Sequence, residues 1–459
     1  STTDSESFTI KGSYNINGSL INKIDFNYRD SDYSLTEAHE EEEHHEEEEH
    51  DEEEEHEEHA PTVFMNEAVE YGATFDISND SSTQKVVVNF VDEDNSIVGE
   101  EAFMNPANSK EFTIGYYLSK DLGIYDLDIG FRHDQIERSG SVSEEEHGDH
   151  HDDDHGDDHG DDHGDEHGEV DYYNIDDSTN SFAVTLGRSL TDNLGVSLGY
   201  ASVERLPSSI ELFMNGPHMA TGRFEVGDPN LNSETSNNFD ITFNFDNGDF
   251  YAYASFYITD VDNYIALIDE EDDHMDEDEH HEDEDDHHEE EGEHHEDEHD
   301  DHGHGNLIHA NYMQEDAEFD GYEIEFGRSF DLGSGELALS FGRDVVNAEF
   351  ADGHYVPRIN PARNIYSLVY TQDDLLFKLM LKDVEKQNDI GESETATDAY
   401  QMLNTRLTKT FNGMGEGELK VSLFANNLLD EVARNHSSFV NNEVPLPGRN
   451  YGLKFNLTF

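Results

Sequence analysis

Apolar and polar residues alternate with a period of two along most of this chain. Phe239, Ile241, Phe243 and Phe245 are interleaved with Asp240, Thr242, Asn244 and Asp246, and Leu453, Phe455, Leu457 and Phe459 with Lys454, Asn456 and Thr458. Successive side chains of a strand point to opposite faces, so this spacing predicts β-strands with one apolar face and not amphipathic helices. The same alternation runs through 183–190, 195–200, 337–341 and 420–425. Seventeen segments read this way, near 8–16, 19–37, 62–78, 84–92, 110–120, 124–139, 174–191, 194–205, 234–246, 249–269, 307–330, 335–350, 362–373, 374–386, 398–412, 417–428 and 448–459.

Short turn signals join the segments in pairs: Asn17-Gly18, Asp121-Leu122-Gly123, Asp192-Asn193, Asn247-Gly248, Gly333-Ser334-Gly335 and the glycines of 413–417. The connections at the other ends are long. A soluble β-sandwich or solenoid would account for the alternation but not for this exchange of short turns with long loops. An outer-membrane barrel accounts for both, with periplasmic turns and extracellular loops. No apolar run approaches the ~18–20 residues of a membrane helix, so a membrane-crossing form must use a closed barrel. The expected fold class is therefore all-β, a transmembrane antiparallel β-barrel spanning 1–459. The 27 Phe and 21 Tyr could furnish interfacial girdles, although Trp is absent. The odd count makes the first and last segments run in the same direction, so the chain reads as beginning within a barrel. Ser1, without methionine or leader, reads as a truncation point.

Composition sharpens the picture at three of the long connections, 39–59, 144–169 and 269–304. Together they hold 52 of the 111 Asp and Glu, 23 of the 28 His, and no Lys or Arg. Without those 52 acids the formal charge of −87 would be −35. The histidines are His39, His44, His45, His50, His56 and His59 in the first block and His147, His150, His151, His155, His159, His163 and His167 in the second. The third carries His274, His280, His281, His287, His288, His294, His295, His299, His302 and His304.

Carboxylate oxygen mixed with imidazole nitrogen suits borderline divalent ions, zinc above all and then copper, nickel or cobalt, whereas an all-oxygen loop would suit calcium or magnesium. With no cysteine, a thiolate zinc site is excluded. No block keeps the register of an EF-hand. The most regular, 155–168, repeats His-Gly-acid-acid every four residues, and glycine at that frequency opposes a stable helix. The blocks are expected to be disordered without metal and to capture ions at many modest sites. The plainer alternative is a solvated polyanionic loop.

Several segments carry a family resemblance. Phe424-Ala-Asn-Asn-Leu-Leu-Asp-Glu, Arg434-Asn-His-Ser-Ser-Phe and Pro445-Leu-Pro-Gly-Arg-Asn-Tyr look like the last two strands of TonB-dependent outer-membrane receptors. The run Glu204-Arg-Leu-Pro-Ser-Ser-Ile-Glu-Leu-Phe-Met-Asn-Gly-Pro-His-Met-Ala-Thr-Gly, followed by Gly227-Asp-Pro-Asn-Leu and Glu234, is similar to their central extracellular segment. Asp316-Ala-Glu-Phe-Asp-Gly-Tyr-Glu and Val356-Pro-Arg-Ile-Asn-Pro-Ala-Arg match further. The Gly-Pro-His loop, the Gly99-Glu-Glu-Ala-Phe loop and the histidine-rich insertions resemble the zinc-uptake receptors. The resemblance implies a plugged barrel of about 22 strands, of which this chain would be the C-terminal part, without the plug or its TonB-contacting segment. It also implies that Phe459 is the aromatic end recognised by the barrel-assembly machinery, and that the partners are a divalent metal ion, the TonB complex and outer-membrane lipid.

For a rigid, selective metal site the candidates are Glu100, Glu101 and His218. Glu100 and Glu101 are adjacent acids in an otherwise mixed loop, and His218 stands between Pro217 and Met219-Ala-Thr, away from the charge blocks. The resemblance implies that such residues join a ligand from the plug. The plainer readings are a histidine that packs its loop and a pair of solvated acids. Arg205 and Arg363, near strand ends, are better suited to a carboxylate or lipid phosphate than to cargo.

Haem is the alternative cargo, because Arg205-Leu206-Pro207 and Asp228-Pro229-Asn230-Leu231 look like degenerate forms of the boxes that flank an axial histidine in haem receptors. The acidic blocks would repel haem propionates, and would disfavour anionic ferric siderophores too. A surface metal buffer belongs to a different class, and would have no need of a barrel ending at Phe459. No Ser-His-Asp or His-Glu-x-x-His arrangement or phosphate-binding glycine loop is present, so neither an enzyme nor a catalytic cofactor is expected. The negative charge argues against nucleic acid.

Overall fold

The computed structural model describes residues 2–16, 18, 20–37, 61–99, 102–143, 170–270, 307–392, 394–414 and 417–458. Seventeen long strands make an antiparallel meander. They are β1 (Thr2–Asn15), β2 (Lys23–Glu37), β3 (Thr62–Asp76), β4 (Thr83–Val98), β5 (Ala107–Asp121), β6 (Asp126–Ser143), β7 (Val170–Ser189) and β8 (Leu194–Arg205), followed by nine more. Those nine are β11 (Glu234–Asp246), β12 (Phe250–Asp269), β13 (Ile308–Asp331), β14 (Glu336–Phe350), β15 (Arg363–Gln372), β16 (Leu375–Val384), β17 (Tyr400–Met414), β18 (Gly417–Asn426) and β19 (Asn450–Thr458). Between β8 and β11 lie a short helix α1 (Ser209–Phe213) and two four-residue strands, β9 (Asn215–His218) and β10 (Arg223–Val226). Each long strand pairs with the next, and β8 pairs with β11 across this insertion. Among the described residues β1 and β19 are not paired with each other.

The count of long strands agrees with the seventeen expected; β9, β10 and α1 were not expected. The three acid-histidine blocks fall between β2 and β3, β6 and β7, and β12 and β13, all at the same end of the sheet. At the opposite end, three turns share one device. The N–H groups of Gly123, Gly248 and Gly333 donate to the Oδ1 atoms of Asp121, Asp246 and Asp331 at 2.6, 2.7 and 2.7 Å. Each glycine has a φ of 77–93°, a region that costs an L side chain strain.

The faces of the wall rule out a soluble sandwich. In a sandwich the apolar face would be buried, but here Phe112, Ile114, Phe239, Phe256, Ile258, Leu453, Phe455 and Leu457 are all exposed. A lipid-facing wall requires that inversion. No helix among the described residues is long and apolar enough to cross a membrane.

Buried apolar residues gather at the loop end. The largest cluster joins Ile97, Phe103, Met104, Ala107, Leu212, Phe213 and Met214, with Phe64, Val142, Tyr173, Ile175 and Tyr312 packed against it. These residues come from β3, β4, β5, β6, β7, β13, the 99–106 loop and the insertion. Strands so far apart on the wall can meet only across its concave side, so the insertion folds inward.

Candidate metal centre

The inward segment is fixed at its start by charge. Arg205, the last residue of β8, holds Glu211 through Nη1 and Nη2 at 2.9 and 3.1 Å, and Glu234 of β11 through Nη2 at 3.0 Å. Ser208 caps α1 in a reciprocal box: Glu211 N–H donates to its Oγ, and its own N–H donates to Glu211 Oε2 at 2.7 Å. One turn of helix then delivers Leu212 and Phe213, both fully buried, into the apolar cluster. Asn215 N–H donates to Phe103 O at 2.8 Å. At Gly216 a Cβ would lie 2.7 Å from Phe103 Cα, so only glycine allows β9 to run this close.

This approach sets His218 against the 99–106 loop. Its ring lies on Phe103 with centroids 4.4 Å apart, and its Nδ1 is 3.0 Å from Oε1 of Glu225 on β10. Glu225 is only 3% exposed, against 28% for His218. Thr221 Oγ lies 2.6 Å from the same Glu225 oxygen and 2.9 Å from His218 O. An ionised carboxylate only accepts, so Nδ1 carries the proton and the Nε2 lone pair is left for a ligand. This is how proteins orient a metal-binding imidazole.

The same segment grips the root of the third block. β10 pairs in parallel with the start of β13, from Arg223 opposite Ile308 to Val226 opposite Asn311. Arg223 Nε and Nη2 donate to Asp269 Oδ1 and Oδ2, both at 2.7 Å, and both side chains are buried. Asp269 belongs to the stretch expected to be a solvated capture loop, but it closes β12 and is fully engaged with Arg223. The guanidinium of Arg223 also lies over Phe439, as does that of Arg358. Burial lowers the pKa of Arg358, and Asp269 and Glu394 oppose that shift.

Of the three rigid-site candidates, His218 is placed as described, whereas Glu100 and Glu101 lie outside the described residues. The residues flanking them are joined, Ala102 N–H donating to Gly99 O at 3.2 Å, and Phe103 carries that loop onto His218. All 23 block histidines and Phe459 also lie outside the described residues. Arg205 binds carboxylates as described, and Arg363 pairs with Asp344 at 2.8 Å. Glu225, Thr221 and Phe103 did not emerge from the sequence. The one local signal for Glu225 is the alternation of Arg223, Phe224, Glu225 and Val226, which is too short to separate from chance.

Histidines outside the blocks were also overlooked. His436 is completely buried in the last loop, with Nδ1 3.1 Å from Thr397 Oγ and Nε2 3.3 Å from Glu394 Oε1. That second contact lies within ion-pair range but off the hydrogen-bond line. Burial alone would raise the Glu394 pKa. The His436 imidazole and the N–H groups of Gly391 and Arg358 more than offset it and hold the carboxyl below the ordinary glutamate range.

The family model for the TonB dependent receptor-like β-barrel matches residues 1–428. Among solved structures, the copper transporter OprC superposes with a TM-score of 0.68 at 14% identity, over 98% of this chain and 65% of its own. The FrpB iron transporter from Neisseria meningitidis (F3-3 variant) gives 0.62 at 12%, over 98% and 62%. The Serratia marcescens hemophore receptor HasR, solved as a double mutant with its hemophore HasA and heme, gives 0.56 at 13%, over 98% and 65%. The chain thus spans less than two thirds of each, and at these identities the likeness is one of fold alone. With 428 of its 459 residues matched and its strands in one continuous meander, the chain belongs to the β-barrel family of TonB-dependent receptors of the Gram-negative outer membrane.

Proposed function

We propose that this chain is the barrel portion of a receptor for high-affinity uptake of a divalent metal ion, zinc foremost, powered by the TonB complex. The observation that carries the reading is the His218–Glu225 pair. An imidazole with one nitrogen fixed by a buried carboxylate stands on the concave side of the wall, on an aromatic ring from the loop that also bears Glu100 and Glu101. Those acids and the free Nε2 offer the oxygen and nitrogen donors that zinc takes. The 50 acids and 23 histidines of 39–59, 144–169 and 271–304 raise the local cation concentration and supply the site. The exposed apolar band faces outer-membrane lipid, and Phe459 serves insertion by the barrel-assembly machinery.

The test is labelled-zinc uptake by cells carrying the receptor. Deleting 39–59, 144–169 and 271–304 should slow uptake at scarce zinc and spare it when zinc is abundant. His218→Ala should weaken uptake at every zinc level, since rigid neighbours cannot replace a lost ligand. Normal zinc uptake by His218→Ala would contradict the reading.

Haem is the second reading, favoured by one observation. A largely apolar cavity of about 430 Å³ lies beside Phe103, lined in part by Phe64, Ile97 and Met104. His218 does not line this cavity but stacks on Phe103, which does, and an imidazole with a free Nε2 would also serve haem iron. Normal zinc uptake together with lost growth on haem iron in His218→Ala would select it.

A further inference from the structure

A second cluster of nitrogen and oxygen donors forms where two other outer loops meet. In the 351–362 loop, His354 Nδ1 lies 2.8 Å from Asp352 Oδ2 and 3.4 Å from Oε1 of Glu392, which belongs to the 385–399 loop. A single ring N–H satisfies one acceptor, so two anionic oxygens at one nitrogen leave negative charge without a partner. Asp352 is held in place, its Oδ1 accepting the His354 N–H at 2.9 Å and its own N–H donating to Glu315 Oε1 at 3.2 Å. The side chains of His354, Asp352 and Glu392 are 60%, 46% and 50% exposed, open to a hydrated ion from outside.

Their surroundings lead inward. Met313, Glu315, Asp352, His354 and Glu392 border a cavity of about 220 Å³. Glu392 also borders a second cavity, of about 280 Å³, whose walls include Glu394 and Thr221. Thr221 is the residue whose hydroxyl touches both His218 and Glu225.

We propose that His354, Asp352 and Glu392 form an outer binding site for a borderline divalent cation, a station between solvent and His218. Ligand atoms around tetrahedral zinc, with bonds of about 2.0–2.1 Å, stand about 3.3 Å apart. The His354–Glu392 separation already has this value, and Asp352 needs to open by about 0.5 Å. Among the described residues no group of three such side chains is assembled at bonding distance. In this cluster the Nδ1 proton occupies the place of the ion; when metal binds, a neutral ring carries its proton on Nε2 instead, and an imidazolium gives its Nδ1 proton to solvent. The role as a station rests on the uptake reading above; the binding itself does not.

Crystals of the receptor soaked in zinc, with anomalous maps at the zinc edge, test the site directly. The expected result is a peak about 2.0–2.2 Å from His354 Nδ1, shared with an Asp352 or Glu392 oxygen. The peak should disappear in His354→Ala and weaken in Glu392→Gln, while zinc elsewhere persists. No peak at saturating zinc, or one that survives both substitutions, overturns the site. In cells, Glu392→Gln should slow uptake several-fold at scarce zinc and leave it unchanged at abundant zinc. A peak without that slowing overturns the station role. A peak together with normal zinc uptake by His218→Ala leaves the cation site standing and removes the uptake reading instead.

Discussion

The two ends of the sheet are built on different principles. At the turn end, Asp121–Gly123, Asp246–Gly248 and Asp331–Gly333 repeat one local solution, a carboxylate oxygen accepting the N–H of a glycine with positive φ. Each turn is completed by residues within a few positions of one another. At the loop end several ionisable side chains are instead held by residues far away in the chain: Arg205 by Glu234, Arg223 by Asp269 and His436 by Glu394. The turn end closes hairpins and carries no unusual chemistry. The loop end spends burial on charged groups, which are costly to desolvate, and its contacts converge on the segment that carries His218. The contrast locates function without reference to any relative.

Substitutions at the loop end should therefore dominate. Arg223→Ala leaves the Asp269 carboxylate buried and unpaired and should cost about 3–5 kcal/mol, read as a lower unfolding midpoint in detergent and faster hydrogen exchange at 219–226 and 308–311. Phe213→Ala should cost a similar amount by opening a cavity, also about 3–5 kcal/mol. Should both variants unfold like the parent, the loop end would not be the cooperative unit described.

Glu225→Gln sits one step lower. Losing the carboxylate that orients an imidazole typically weakens metal binding about 10–100-fold, so zinc affinity should fall by that factor while unfolding changes little. Unchanged affinity would reduce Glu225 to a packing residue.

A smaller effect concerns Glu394. Its pKa is depressed in the folded state, so its contribution to stability is complete at neutral pH and is lost as pH falls below the ordinary glutamate range, through the depressed value. Protection of the 385–399 loop against proteolysis should hold until that range and then decline, and Glu394→Gln should abolish the pH dependence. Loss of protection already between pH 7 and 6 would point to another group.

Gly248→Ala should be the mildest, about 1 kcal/mol from its positive φ, with zinc uptake unaltered. An uptake defect there would erase the distinction between the ends.

The wall was legible because period-two alternation is local, and β11 begins and ends where the pattern does. β1 shows where that logic stops. Residues 2–7 are almost entirely polar, yet they are strand because β2 supplies partners from Ser31 to Thr36. The central segment was less legible, for β9 and β10 are four residues each, pair with one another, and are fixed to the wall through β13. His218 stood out by its isolation from the blocks, whereas Glu225 is an acid in an acidic chain, and only burial distinguishes it. Asp269 illustrates the converse: composition placed it in a capture loop, and Arg223 made it a structural anchor.

The central claim is that capture and selection are separate, the first in the blocks and the second at His218 and Glu225. The most direct measurement is the selectivity of zinc uptake over copper, with haem as a further competitor, in cells whose receptor lacks 39–59, 144–169 and 271–304. The account predicts slower uptake at scarce zinc with the parent's preference intact, and a preference that collapses only when His218 is also replaced. A block-deleted receptor that loses its preference while His218 and Glu225 remain would show that the blocks themselves select, and would contradict the account.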